Sequence, residues 1–479
     1  MNWQPVIGLE VHVQLATKSK LFSSSSTAFG AAPNMQADAV DMAMPGTLPV
    51  VNRGVISCAI RFGLAIGAQI DRASVFARKH YFYPDLPKAY QISQYDRPIL
   101  TAGSLTIQVA DKSRDIGITR AHLEEDAGKS MHDYLPGMSA IDLNRAGTPL
   151  LEIVSDPVIY SPDEAIAYLK AMHLLVRHLK ISDGDMSQGS MRCDANVSLM
   201  PQGSDNLGTR VEIKNLNSFR FVHKALVHEI QRQTMLLEHG EAIVQETRLY
   251  DVNKDQTSSM RSKEEARDYR YFHDPDLPPL IISDARIAAE RASLPELPQA
   301  RLTRYLALGL TAATAVTIVE EPCCAEYFDE LVQQGCEAAL AANWVVGEVT
   351  AALHQAGLDF SSCPVSSNQL AKLLQLLAEG TVNGATAKQL FALLLKQPEL
   401  DLVAHIQAHG LAQMRDDGAM AALVDEIIST HQTQLEQYRA ASADKQKKLL
   451  GFFVGKVMQA SRGKANPAMV NQLLRQRLD

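Results

Sequence analysis

The chain has 479 residues, too many for one ordinary domain, so two or three are expected. Apolar residues make up 46% and charged residues 21%, a composition that excludes a disordered or fibrous chain. The formal net charge of −8 excludes a uniformly basic body, yet residues 440–479 carry eight Lys/Arg against two Asp, and that local excess suits a polyanionic partner.

The N-terminal stretch has no basic leader and meets Glu10 and His12 before any long apolar run, so no signal peptide is expected. The longest uncharged apolar run, Tyr305–Val319, has fifteen residues. It is shorter than the ~20 needed to span a bilayer and is expected to be one buried helix. Six cysteines without CxxC spacing argue against disulfides and point to a reducing, cytoplasmic setting.

Taken in order, Val6–Leu15 alternates as a strand, with Glu10, His12 and Gln14 on one face and Leu9, Val11 and Val13 on the other. A carboxylate and an imidazole one pleat apart form a candidate metal pair, although a solvent-facing strand edge would look the same. Lys20–Met44 reads as a loop and Asn52–Ala68 as a helix. In Arg78–Ile99, Pro84, Pro87 and Pro98 exclude a long helix, and Lys79 and Lys88 flank a tyrosine-rich extended segment.

Ile116–Glu124 is a further strand running into Glu124, Glu125 and Asp126. Only one of Glu124 and Glu125 can point along a given face. Gly128-Lys129-Ser130 imitates the end of a phosphate loop, but position 123 is Leu123 rather than the glycine that loop requires. Glu152 sits in the apolar strand PLLEIVSDP, and a buried carboxylate must be paired or bind a metal. Arg145 and Arg192 are the competing ion-pair partners.

Ser161, Pro162 and Glu164 open a helix with a capping box. Ser190–Phe219 then reads as two strands around a turn-rich loop, with Arg192 and Asp194 on one charged face and Glu212 and Lys214 on the other strand's. A second helix runs from Ser218 to Gly240. Near Ser293 the pattern becomes helical and Ala/Leu-rich, and a further break falls at Gln397–Leu400. The expected domains are 1–292, 293–400 and 401–479.

Several blocks carry a family resemblance. They are VIGLEVHVQL (Val6–Leu15), PGTLPVVN (Pro45–Asn52), HLEEDAGKS (His122–Ser130), DLNRAGTPLLEIVSDP (Asp142–Pro157), SMRCDAN (Ser190–Asn196), EIKNLNSF (Glu212–Phe219) and DYRYFHDPDLPPL (Asp268–Leu280). Together they resemble the B-type subunits of the aspartyl/glutamyl-tRNA(Asn/Gln) amidotransferases, nearly along the whole chain. The resemblance implies an α+β fold. An antiparallel, cradle-like sheet domain similar to glutamine synthetase and guanidino kinases would precede a helical domain and a small helical tail.

It also implies ATP-dependent phosphorylation of the side-chain carboxylate of misacylated Glu-tRNA(Gln) or Asp-tRNA(Asn), followed by amidation. On that basis Glu10, His12, Glu125 and Glu152 are expected to be catalytic metal ligands for Mg²⁺, with Glu124, Asp194 and Glu212 around them. Arg145, Arg192 and Lys214 would meet phosphate or acceptor, and Lys79 and Lys88 would guide ammonia. Lys445, Lys447, Lys448, Lys456, Arg462 and Lys464 would contact the tRNA.

Many relatives carry a zinc-binding cysteine quartet in the Lys20–Met44 region. Here Ser23, Ser24, Ser25 and Ser26 stand with Asp38 and Asp41, so no zinc is expected. No Ser-Ser-Lys amidase signature or convincing Cys/His pair is present. Ammonia is therefore expected from a glutaminase subunit, joined through a small bridging subunit. A non-catalytic tRNA-binding scaffold is the alternative reading.

Overall fold

Strand alternation over the first 298 residues builds one large sheet. Its strands, in chain order, are β1 (Trp3–Gln14), β2 (Gln69–Ile70), β3 (Leu100–Val109), β4 (Lys112–Glu125), β5 (Pro149–Ser155), β6 (Met191–Pro201), β7 (Val211–Leu216), β8 (Glu246–Asp251) and β9 (Gln256–Ser262). They lie side by side in the order β9-β8-β7-β6-β1-β5-β4-β3-β2. The computed structural model describes residues 2–110, 112–262, 268–413, 417–441, 443–461 and 464–478. The sheet is antiparallel except between β7 and β8, which run parallel. An all-antiparallel expectation is corrected there, because α3 (Phe219–Glu238) carries the chain back between them.

Helices α2 (Pro162–His178) and α3 begin where sequence chemistry dictates. Ser161 Oγ accepts from Glu164 N, and Ser218 Oγ accepts from Phe221 N. Their apolar stripes, including Leu169, Met172, Val176, Val222 and Leu226, join Leu9, Val11, Leu123, Leu151, Ile153, Cys193 and Ala195 in one buried core. The helices thus cover the apolar face of the sheet, and the alternate residues of each strand form the opposite, charged face. α1 (Arg53–Ala65) starts at Asn52, whose side chain accepts from Gly54 N.

The loop before α1 is tied by a buried ion pair. Lys20 Nζ donates to Asp41 Oδ2 at 3.0 Å, to Gln36 O at 2.6 Å and to Leu143 O at 3.3 Å. Asp41 also accepts from Ser23 Oγ and Asp38 N. Gly147 has φ +82, and a Cβ there would fall 2.6 Å from Asp41 Oδ1, so only glycine fits against the pair.

The chain divides into two compact units, Met1–Pro298 and Gln299–Asp479. Among the described residues of the second, every regular element is a helix. The single buried helix expected at Tyr305–Val319 is instead two, Pro298–Ala307 and Ala312–Val319. Gly309, at φ +85, ends the first, and Thr311 caps the second. No described helix is long and apolar enough to cross a membrane. Residues after 397 first return to the preceding helices, through Gln369 Nε2 to Pro398 O and Gln413 N to Thr381 O. Beyond them Met420, Val424, Phe453, Val457, Val470 and Leu474 make a separate apolar cluster.

Because Lys20 and Asp41 are both buried, removing one leaves an uncompensated charge. Lys20→Met is expected to destabilise the N-terminal unit by roughly 3–5 kcal/mol, read as the shift of its denaturation transition. Lys20→Met combined with Asp41→Leu should recover part of the loss. Equal stability of the single variant and the parent would contradict this role.

Candidate active site

Register assembles the site. His12 faces Glu152 across β1 and β5, Glu152 faces His122 across β5 and β4, and His12 faces Arg192 across β1 and β6. Directly paired residues point to the same side. One row on the charged face therefore reads His122, Glu152, His12, Arg192. One pleat along, Glu10 lies opposite Asp194 and opposite Val154. Glu124 joins from β4, two residues past His122.

His12 Nε2 lies 3.3 Å from Glu152 Oε2 and 3.6 Å from Glu124 Oε1. One donor atom from each of His12, Glu124 and Glu152 falls within 4.8 Å of the others. Glu124 is 3% exposed and Glu152 9%. Burial favours the neutral form of Glu152. The His122 and His12 imidazoles and the Lys79 ammonium overcome it and hold the carboxyl well below its usual range. Burial also favours neutral His12, but the hydrogen bond and charge of Glu152, with Glu124, raise its pKa overall. Burial dominates at His122 and lowers it.

Two desolvated carboxylates and an imidazole, all aimed at one point, are a donor set that fits a divalent cation. Carboxylate oxygens suit Mg²⁺ or Mn²⁺, and the imidazole nitrogen favours the latter.

The other nominated residues have definite places. Glu125 points away from this trio. Its carboxylate accepts from Ile92 N at 2.9 Å and from Lys88 Nζ at 2.6 Å, so of the two adjacent glutamates Glu124 is the one that shares the His12 face. Glu10 accepts from Asn196 Nδ2 at 2.8 Å, and burial, together with Glu152, raises its pKa. Lys214 sits between Asp194 at 2.5 Å and Glu212 at 2.9 Å, and those charges outweigh burial and raise its pKa.

Neither Arg145 nor Arg192 pairs with Glu152. Arg192 Nη2 meets Asp126 Oδ2 at 2.9 Å, while Arg145 donates to Ala127 O and Gly128 O. Lys79 stands 5.0 Å from the Tyr269 ring centre, and despite burial the charges of Glu124 and Glu152 raise its pKa.

In the second unit, Lys445, Lys447 and Lys448 are exposed on the helix Ala443–Ala460, and Lys456 and Lys464 are partly buried. Lys456 Nζ lies 5.7 Å from the Phe452 ring centre. Arg462 lies outside the described residues. Sequence reading overlooked His122 and Asp126 as partners. His122 precedes Glu124 by two on a strand, and that period alone would have placed both on one face.

Residues 5–288 match the family of GatB/GatE catalytic domains, and residues 326–478 match the GatB domain. The chain belongs to the GatB/GatE family. Among curated relatives, the GatB-type subunit of the aspartyl/glutamyl-tRNA(Asn/Gln) amidotransferase from Azotobacter vinelandii is 53% identical over 481 residues. The subunits of the same name from Pseudomonas paraeruginosa and Hahella chejuensis are 55% and 54% identical. Each comparison covers all of both chains. The family resemblance carried by the sequence blocks is thereby borne out. Every residue of the His12–Glu124–Glu152 group falls inside the GatB/GatE catalytic match, and the exposed lysine helix falls inside the GatB domain.

The charges predict the titration of the metal-free site. Folded His12 holds its proton more tightly than the ordinary value of about 6.5. Its contribution to stability is then full below that value and is lost as pH rises through the folded pKa. In Glu152→Gln the group that most raises His12 is gone, so its titration, followed by NMR on labelled histidine, should move to lower pH. A His12 midpoint unchanged by the substitution would contradict the assignment.

Proposed function

We propose that this chain is the acceptor-activating subunit of a tRNA-dependent amidotransferase, working on the side-chain carboxylate of Glu-tRNA(Gln), Asp-tRNA(Asn) or both. A free carboxylate is a poor acylating agent because its leaving group would be oxide. In the first step a carboxylate oxygen attacks the γ-phosphorus of ATP, the bond to the β-γ bridging oxygen breaks, and ADP leaves with an acyl phosphate formed. In the second, ammonia attacks the acyl carbon, the C–O bond to phosphate breaks, and the nitrogen sheds a proton to give the amide.

His12, Glu124 and Glu152 would hold a divalent cation. When bound it would supply the charge neutralisation that in-line phosphoryl transfer requires. Glu10, Asp194 and Glu212 would line the adjoining acidic face, where the Lys214 ammonium offsets their charge. Lys214 and Arg192 would orient phosphate or acceptor oxygens. Arg145, committed to two backbone carbonyls, would shape the loop that carries Asp126. Lys79 and Lys88, among tyrosines, would border the ammonia route. The acidic sheet face would act as a cradle of the glutamine synthetase and guanidino kinase kind.

Ammonia would come from a glutaminase subunit through a complex that includes a small bridging subunit, in the cytoplasm. We divide the work among catalytic (1–292), helical (293–400) and tail (401–479) domains, with the tail cations Lys445, Lys447, Lys448, Lys456, Arg462 and Lys464 on the tRNA body. The observation that carries this reading is the convergence of His12, Glu124 and Glu152 from three strands.

Glu152→Gln tests it in the assembled complex. ATP turnover with misacylated tRNA should fall by at least ~100-fold, as when one preorganised electrostatic group is lost, while tRNA binding persists. Retained turnover would favour the scaffold reading.

A second expectation concerns the tail. Lys445→Ala, Lys447→Ala and Lys448→Ala together spare the apolar cluster and should weaken tRNA binding. Each lost phosphate contact should flatten the log–log salt dependence by about 1. An unchanged slope would remove these lysines from the interface.

A further inference from the structure

His122 is a buried imidazole beside the candidate cation position, at 4% exposure, and it has no task in the phosphoryl and acyl transfer steps. Its Nε2 lies 3.5 Å from Glu152 Oε2 and 3.9 Å from Glu124 Oε2. The two carboxyl oxygens of Glu124 are thus divided between imidazoles, Oε1 toward His12 and Oε2 toward His122. His122 Nδ1 is buried and has no hydrogen-bond partner among the described residues. The ring therefore serves neither a strand nor a loop, and its polar contacts run through Nε2 to the two glutamates. It is not itself one of the converging donors, which are His12, Glu124 and Glu152.

Two flexible carboxylates of like charge must be held side by side for a cation to find them preorganised. A buried N–H behind them restrains their torsions and offsets their repulsion, as outer-shell partners of metal ligands do. We propose that His122 is the positioning residue of this site. The dipole of its Nε2–H, nearest Glu152 at 3.5 Å and with Glu124 at 3.9 Å, favours the orientation that presents them, with His12, to a divalent cation. This inference rests on the reading of that trio as a cation site.

The test uses the full chain and Mn²⁺, with binding followed by electron paramagnetic resonance and calorimetry. Four variants are compared with the parent. His12→Ala removes a proposed ligand, and His122→Leu removes the donor. His122→Gln keeps an N–H near the Nε2 position, whereas His122→Asn moves it back toward Nδ1. His122→Leu and His122→Asn are expected to lose roughly 10–100-fold in Mn²⁺ affinity, with His122→Gln close to the parent. Saturating Mn²⁺ should restore turnover in the weakened variants, because a positioning residue takes no part in the chemistry.

Parental Mn²⁺ affinity in His122→Leu would overturn the proposal, as would equal affinity in His122→Asn and His122→Gln. Those results, with binding still lost in His12→Ala, would leave the cation site standing. Mn²⁺ binding indifferent to His12→Ala would overturn both. Melting curves of the metal-free variants report whether the polar pair, Asn and Gln, are equally folded.

Discussion

Two carboxylates, Glu124 and Glu152, are buried side by side, and their charge can persist only against compensating cations. Around Glu152 the chain places the Lys79 ammonium and the His12 and His122 imidazoles, and of the two rings it is His12 whose proton is held more tightly. That balance sets the chemistry available to the site. It also leaves His12, Glu124 and Glu152 with donor atoms within 4.8 Å of one another, a set that fits a divalent cation. Both imidazoles face the two carboxylates, but the hydrogen bond and charge of Glu152 raise His12, whereas burial, with the charges of Arg120 and His12, lowers His122.

Around this centre the charged face is a lattice of satisfied pairs. Arg192 meets Asp126, Lys88 meets Glu125, and Lys214 lies between Asp194 and Glu212. Such pairs contribute little net stability where they are exposed. Their value is geometric, because a paired lysine or arginine has one preferred position on the charged face. The buried Lys20–Asp41 pair has a different task, tying the loop before α1.

The C-terminal unit follows another logic. Its apolar cluster from Met420 to Leu478 is built from helices alone, and one of them, Ala443–Ala460, turns Phe453 and Val457 inward and Lys445, Lys447 and Lys448 outward. A helix that is apolar on one side and basic on the other keeps its fold when the outer charges change. The apolar cluster of this unit is therefore independent of the charges on its outer face.

Much of this was legible in the residues. Period-two alternation placed Glu10 and His12 on one face, Ser161 and Ser218 marked helix starts, and the block motifs identified the family. The sequence established that only one of Glu124 and Glu125 could share a face, without choosing between them. It favoured Glu125 as ligand, whereas Glu124 is the one beside His12. It also marked Glu152 as a buried charge. It misread Tyr305–Val319 as one helix, because apolar continuity hid the turn at Gly309.

Chain order alone could not pair residue 12 with residue 152, or residue 152 with residue 122. Those partners are set by which strands lie adjacent and in what register, a property of long-range packing rather than local pattern. Local chemistry thus determined which residues could serve, as strand faces, caps and charges. Tertiary structure decided which of them meet, because a one-residue slip in register would turn His12 or Glu152 into the apolar core.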